Sequence, residues 1–128
     1  MKILGVGVDI VKNNRLKILI RKRNFIFRTF SKNEINFSKK KKLKIAFFAK
    51  RFAAKESFSK SLGTGIRDNL NFSDIEILND KFGKPYFRKT KKINSMIYKI
   101  FRVKKYNLFL SISDEKDYSI AFTIIQKQ

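Results

Sequence analysis

Asp9 closes the run Gly5-Val-Gly7-Val-Asp9, a carboxylate where an apolar strand should continue. A second carboxylate, Glu56, lies in Arg51-Phe-Ala-Ala-Lys55-Glu56-Ser-Phe-Ser59-Lys60, four residues before Lys60. On a helix that spacing puts Glu56 and Lys60 on one face. The plainest account of this pair is an exposed ion pair worth about 0.2–0.5 kcal/mol. The plainest account of Asp9 is an N-cap for a helix over residues 10 to 20. Together the three groups can do more. Mg²⁺ is held by one or two carboxylates, water and substrate phosphates, so Asp9, Glu56 and Lys60 have the chemistry of a metal-assisted phosphate site. The chain has no His and no Cys. That removes the usual general base near neutral pH, the thiolate metal sites and any disulfide framework. Gly5 and Gly7 do not complete a dinucleotide fingerprint, because the third glycine and the downstream acid are missing.

Positioning these groups asks for a strand before Asp9 and a helix beneath Glu56. Residues 2 to 9 alternate, with Leu4, Val6 and Val8 on one side and Ile3, Gly5, Gly7 and Asp9 on the other. The glycines leave the second side bare, so another backbone or a ligand can come close. Residues 43 to 62 form the strongest helix, with a buried stripe through Phe47, Ala54, Phe58 and Leu62 that Phe48 and Phe52 widen. Gly63 stops that helix and Gly65 permits a tight turn.

The remaining elements fall between turn signals. Residues 12 to 22 read as a basic helix followed by a basic loop. Ser31-Lys-Asn-Glu34 is a capping box, with Phe30 and Ile35 placed as a hydrophobic staple. The run KKKKLK at 39 to 44 reads as a loop. Strands are expected at 74 to 78 and near 85 to 87, joined through Asn79-Asp80-Lys-Phe-Gly83-Lys84-Pro85. A helix is expected at 90 to 102. Strands at 107 to 113 and 117 to 125 make a hairpin through residues 114 to 116. The class is α+β, one domain over residues 1–128, with a small, mainly antiparallel sheet packed with helices.

Composition bounds the partners. At 43% apolar residues the chain can bury a core, and Phe supplies 14 of them. No apolar stretch approaches the roughly 18 residues of a membrane span, and the expected setting is the cytoplasm. The net charge of +21 attracts polyanions of many kinds. Biased composition accounts for much of it, the chain being rich in Lys, Asn, Ile and Phe together. An alternative reading is a small basic nucleic-acid-binding protein, resting on RKRNFIFR at 21 to 28, KKKKLK and the aromatics. The periodicity of most phenylalanines points instead to a core, which leaves nucleic acid as a non-specific partner.

Four words in order, GVGVDIV, RFAAKESFSKSLGTGI, DIEILNDKFGKPY and LSISDEKDYSIAF, resemble the holo-acyl-carrier-protein synthases, the short 4′-phosphopantetheinyl transferases, over nearly the whole chain. The resemblance implies their fold, a homotrimer with sites at subunit interfaces, and their reaction. That reaction moves 4′-phosphopantetheine from coenzyme A to a serine of apo acyl carrier protein, leaving adenosine 3′,5′-bisphosphate, in support of fatty acid biosynthesis. It implies Asp9 and Glu56 as Mg²⁺ ligands and Lys60 as the lysine that stabilises phosphoryl charge. The serine proton then leaves to Glu56 or to a bound water. Arg51, Lys55, Ser59 and Lys60 are implied around coenzyme A, with Gly63 and Gly65 as a glycine turn and Gly83, Lys84 and Pro85 as a second loop near the nucleotide. Arg15, Arg21 and Lys22 are implied as contacts for the acidic carrier protein. One departure stands out: Phe109-Leu-Ser-Ile-Ser-Asp114 replaces a common family word with histidine at both ends, so no imidazole contact is available there.

Overall fold

The computed structural model describes residues 1–65 and 70–128. Ile66, the last residue of the second family-like word, lies outside them. Strand β1 (Lys2–Lys12) runs into α1 (Asn13–Leu19), α2 (Arg23–Thr29), α3 (Lys32–Ser38) and the long α4 (Lys44–Ser61). A 3₁₀ turn at Phe72–Asp74 then leads to β2 (Ile77–Asn79), β3 (Pro85–Phe87), α5 (Lys91–Phe101), β4 (Tyr106–Asp114) and β5 (Tyr118–Lys127). The sheet order is β1-β5-β4, all antiparallel, with β2 and β3 as a separate antiparallel pair.

The alternation in β1 holds from Gly5 onward, but a bulge between Ile3 and Gly5 breaks it before that, leaving Ile3 exposed like Val6 and Val8 and packing Leu4 against the core. The two glycines explain how α4 sits. A Cβ on Gly7 would lie 2.0 Å from the Ser57 carbonyl oxygen, and one on Gly5 would lie 1.9 Å from that of Ser61. Helix backbone rests directly on strand backbone there, an approach only glycine permits. The facing side of α4 is correspondingly small, with Ala53, Ala54, Ser57 and Ser61 all buried. Ser57 Oγ shares a 2.6 Å hydrogen bond with Thr123 Oγ1 of β5, so the polar atoms sealed between helix and sheet are partnered. The stripe Phe47, Ala54, Phe58 and Leu62 is fully buried, as its periodicity predicts.

Three local expectations are corrected. Asp9 neither ends β1 nor caps a helix. The strand continues to Lys12, and α1 starts at Asn13 with Lys12 as an N-cap that makes no side-chain bond. Pairing with β5 extends β1, since Ile10, Val11 and Lys12 all have register partners there. The basic helix of residues 12 to 22 ends early, and the supposed loop after it contains α2. The residues of α2 pack rings onto the core, Phe25 lying 6.1 Å from Phe30 and 6.0 Å from Phe52. Residues 74 to 76 are not strand, because the 3₁₀ turn ends at Asp74 and β2 begins only at Ile77.

The Ser31 capping box forms as read. Ser31 Oγ accepts from the Glu34 amide at 3.1 Å, and the Ser31 amide donates to Glu34 Oε1 at 2.9 Å. Glu34 does more than cap, because its carboxylate is fully buried and meets Lys55 of α4. Lys55 Nζ donates to Glu34 Oε1 at 2.8 Å and to the carbonyls of Phe72 and Ile75 at 2.9 and 2.5 Å. The Ile77 amide donates to the other Glu34 oxygen at 3.2 Å. One buried ion pair thus ties α3, α4 and the entry to β2 together.

Candidate active site

The close seating of α4 on β1 brings Asp9 and Lys60 into contact. Lys60 Nζ lies 3.0 Å from Asp9 Oδ1 and donates to the Val8 carbonyl at 3.1 Å. The lysine side chain is 55% exposed and that of Asp9 16%. A pair so open to water holds by no more than about 1 kcal/mol, so Lys60 can leave Asp9 for an incoming phosphate at little cost. The spacing of Glu56 and Lys60 predicted an ion pair between those two, whereas the lysine reaches across to the strand.

Glu56 is the more informative carboxylate. Among the described residues, no hydrogen bond or ion pair within 4 Å takes its charge. Burial pushes its pKa above the ordinary 4.5 and the nearby Asp9 carboxylate adds to the rise, while Lys60 and Arg15 act against it. The folded chain therefore holds the Glu56 proton more tightly than the unfolded chain does. The resulting cost is absent below pH 4.5 and grows as pH rises through the elevated value. Glu56→Gln is accordingly expected to melt higher than the parent at neutral pH, with the gap closing on acidification below the ordinary value. Parallel thermal melts across that range check it, and a gap unchanged by pH would remove the charge as its cause.

Two partly buried carboxylates, one of them without a hydrogen bond or ion pair and the other held by an exposed lysine, offer the oxygen ligands that suit a hard divalent cation. Two ligands leave room for waters and phosphate oxygens. Arg15 stands beside this cluster, its guanidinium 5.6 Å from the centre of the Phe52 ring. Arg21 and Lys22 lie exposed in the turn between α1 and α2.

The other expected site residues lie elsewhere, and not all together. Arg51 lies five residues before Glu56, about 140° away around the helix. It faces a cavity of about 720 Å³, lined also by Lys41, Lys42, Lys50, Lys81 and Gly83. Phe47, Asn79, Asp80 and Asp114 border the same space. Arg51 stacks 3.9 Å from the Phe47 ring centre, and burial lowers its pKa against the opposing pull of Glu34. Lys84 and Pro85, the latter opening β3, follow Gly83 without lining the cavity. Ser59 is buried near the turn after α4, its Oγ 3.8 Å from where a Gly65 Cβ would stand. Gly63 and Gly65 both hold positive φ, 79° and 77°, as a glycine turn requires.

Lys55, expected around coenzyme A, is placed apart from both groups. It is fully buried, and its ammonium already serves Glu34 and two backbone carbonyls. It opens onto neither the carboxylate cluster nor the cavity, because residue 55 points at α3 and the 3₁₀ turn. Sequence reasoning did not single out Lys41, Lys42, Lys50, Lys81 or Asn79 as lining this cavity. The first two were visible as the KKKKLK run, but a run of lysines carries no sign of which of them faces a cavity.

A model of the 4′-phosphopantetheinyl transferase superfamily matches residues 5–123. The chain belongs to that superfamily. Its relatives agree over full length. A holo-[acyl-carrier-protein] synthase of Pelagibacter ubique is 56% identical over 128 residues, covering all of both chains. One of Clostridium botulinum (strain Eklund 17B / Type B) is 41% identical over 125 residues, 97% of this chain and 98% of that one. Among solved structures, the holo-[acyl-carrier-protein] synthase of Neisseria meningitidis superposes with a TM-score of 0.88 at 34% identity, covering 98% of this chain and 100% of that one. The synthase of Bacillus anthracis, solved in complex with CoA (3′,5′-ADP), gives 0.80 at 34% identity over 98% of each chain. The α+β class and the antiparallel sheet expected from the sequence are those of this family. No helix among the described residues is long and apolar enough to cross a membrane.

Proposed function

We propose that this chain is a holo-[acyl-carrier-protein] synthase. It transfers 4′-phosphopantetheine from coenzyme A to a serine of apo acyl carrier protein, in the cytoplasm and in support of fatty acid biosynthesis. The observation that carries the reading is the junction of Asp9, Glu56 and Lys60 at the contact of β1 with α4, in a chain whose full-length relatives bear that name.

The serine oxygen attacks the phosphorus attached to pantetheine, and the bridging P–O bond breaks to release adenosine 3′,5′-bisphosphate. Mg²⁺ on Asp9 and Glu56 would supply charge neutralisation and fixed geometry at the pyrophosphate. Lys60 moves from Asp9 onto the phosphoryl oxygens, meeting charge that develops there. Glu56, or a water on the carboxylates, takes the serine proton. Arg51 and the lysines of the cavity hold the nucleotide end. Arg15, Arg21 and Lys22 form a basic edge for the acidic carrier protein, whose approach they speed at low salt.

The metal half and the nucleotide half lie on different sides of α4, so one chain does not close a complete pocket. A homotrimer supplies the missing half. The outer sheet face supports this, carrying Val6, Val8, Ile10, Phe109, Ile120 and Phe122 at 40 to 62% exposure. Such a patch on a soluble chain marks an interface. Phe122→Glu is expected to lower the native mass from trimer to monomer and to abolish transfer together; a monomeric parent would end the composite-site account.

Intact-mass measurement of apo acyl carrier protein, incubated with this chain, coenzyme A and Mg²⁺, tests the reaction. The expected result is a gain of one phosphopantetheine that EDTA prevents. No gain from a folded chain overturns the reading.

A further inference from the structure

Asn79, the last residue of β2, touches both walls of the cationic cavity. Its Oδ1 accepts from Arg51 Nη2 at 2.6 Å, and its Nδ2 donates to the Gly83 carbonyl at 2.9 Å. Arg51 needs such a partner. The residue is only 6% exposed, its Nε is buried without a hydrogen bond, and Glu34 Oε2 stands at 4.0 Å, the edge of an ion pair. Among the described residues, the bond to Asn79 is the one hydrogen bond the Arg51 guanidinium makes.

The loop that follows does not need Asn79 for its own shape. Asp80 Oδ1 accepts from the amides of Phe82 and Lys84, each at 2.9 Å, and the backbone bonds between Asp80 and Gly83 and between Asp80 and Lys84 close the turn. Gly83 takes φ 85°, which suits that closure. What Asn79 adds is a link from this self-supporting loop to the guanidinium on α4.

We propose that Asn79 is a positioning residue that locks Arg51 and the Gly83 loop to each other, and so sets affinity for the adenosine 3′,5′-bisphosphate end of coenzyme A. The proposal rests on the reading of this cavity as the nucleotide site. A planar guanidinium recognises phosphate through a fixed fork, and a fork aimed in advance loses less entropy on binding than one that must be ordered by the ligand. The same amide also fixes where the Gly83 carbonyl stands when the nucleotide arrives.

The test compares Asn79→Leu, which removes both bonds at similar volume, with Asn79→Asp, which keeps an acceptor for Arg51 and loses the donor to Gly83. Binding of coenzyme A, adenosine 3′,5′-bisphosphate and 4′-phosphopantetheine is measured by calorimetry, beside KM, kcat and melting. Asn79→Leu is expected to weaken the first two ligands about tenfold, or about 1.4 kcal/mol, and to leave phosphopantetheine unchanged. KM for coenzyme A rises to match while kcat holds. Asn79→Asp falls between parent and Leu, and carries the same comparison if the Leu variant fails to fold. In an Arg51→Ala background, replacing Asn79 adds little further loss. Unchanged bisphosphate affinity, equal loss for all three ligands, or full additivity with Arg51→Ala would each overturn the proposal. A parent chain that binds neither coenzyme A nor the bisphosphate overturns the reading of the cavity instead.

Discussion

Replacing Lys55 by methionine is expected to lower the free energy of unfolding by about 3–5 kcal/mol, the cost of stranding a buried charge. Glu34 would be left fully buried with its carboxylate facing the Ser31 and Ile77 amides and only the Arg51 Nε, 4.0 Å away, as a cation, and the Phe72 and Ile75 carbonyls would each lose a donor. A domain has only about 5–15 kcal/mol of stability in total, so the variant should accumulate poorly or melt near the working temperature. Urea unfolding, read by midpoint at unchanged slope, measures this. Lys92→Met is the control. Its pair with Asp74 at 3.3 Å is largely exposed, and its loss is worth no more than about 1 kcal/mol. The same experiment decides what Lys55 is for. A variant that unfolds at the parent's midpoint but no longer binds coenzyme A would return Lys55 to the ligand site and refute the structural role.

Asp9→Ala should do the reverse, sparing stability and removing activity. The Asp9–Lys60 pair is too exposed to hold the fold, yet it sits where the carboxylates meet. On the proposed reading, losing one of two metal carboxylates forfeits several kcal/mol of charge stabilisation, and at about 4 kcal/mol the transfer rate falls roughly a thousandfold. Single-turnover transfer at saturating Mg²⁺ checks it, with melting as the fold control. Lys60→Ala separates the roles further, because it should lower the rate while leaving Mg²⁺ affinity intact. An Asp9→Ala chain that keeps a tenth of the parental rate would exclude Asp9 as a metal ligand.

What the sequence made legible was local. The helix beneath Glu56 announced itself through phenylalanines at helical spacing, the bare strand face through Gly5 and Gly7, and the cap of α3 through Ser31 and Glu34. These signals lie within a few residues of one another, where periodicity and hydrogen-bond chemistry operate. The second duty of Glu34 depends on Lys55, 21 residues away, and on a β2 amide 43 residues away. No local pattern encodes such a meeting. Asp9 misled for the opposite reason. A carboxylate before a basic helical stretch fits an N-cap, and only pairing with β5, more than a hundred residues distant, keeps the strand extended through it. The proposed metal pair was reached through the likeness of four words to a family, because spacing alone left both carboxylates with simpler employment.

The contact of Gly5 and Gly7 with the carbonyls of Ser61 and Ser57 has a consequence for how this chain tolerates change. Elsewhere, the gap between helix and sheet is set by the volume of intervening side chains, so each core substitution shifts the elements it separates. Here the gap is set by main-chain atoms, which every sequence shares. A chain can drift toward lysine, isoleucine and phenylalanine across its surface and outer core while the distance from Asp9 to Glu56 stays fixed, as on a calliper whose jaws have closed on bare metal.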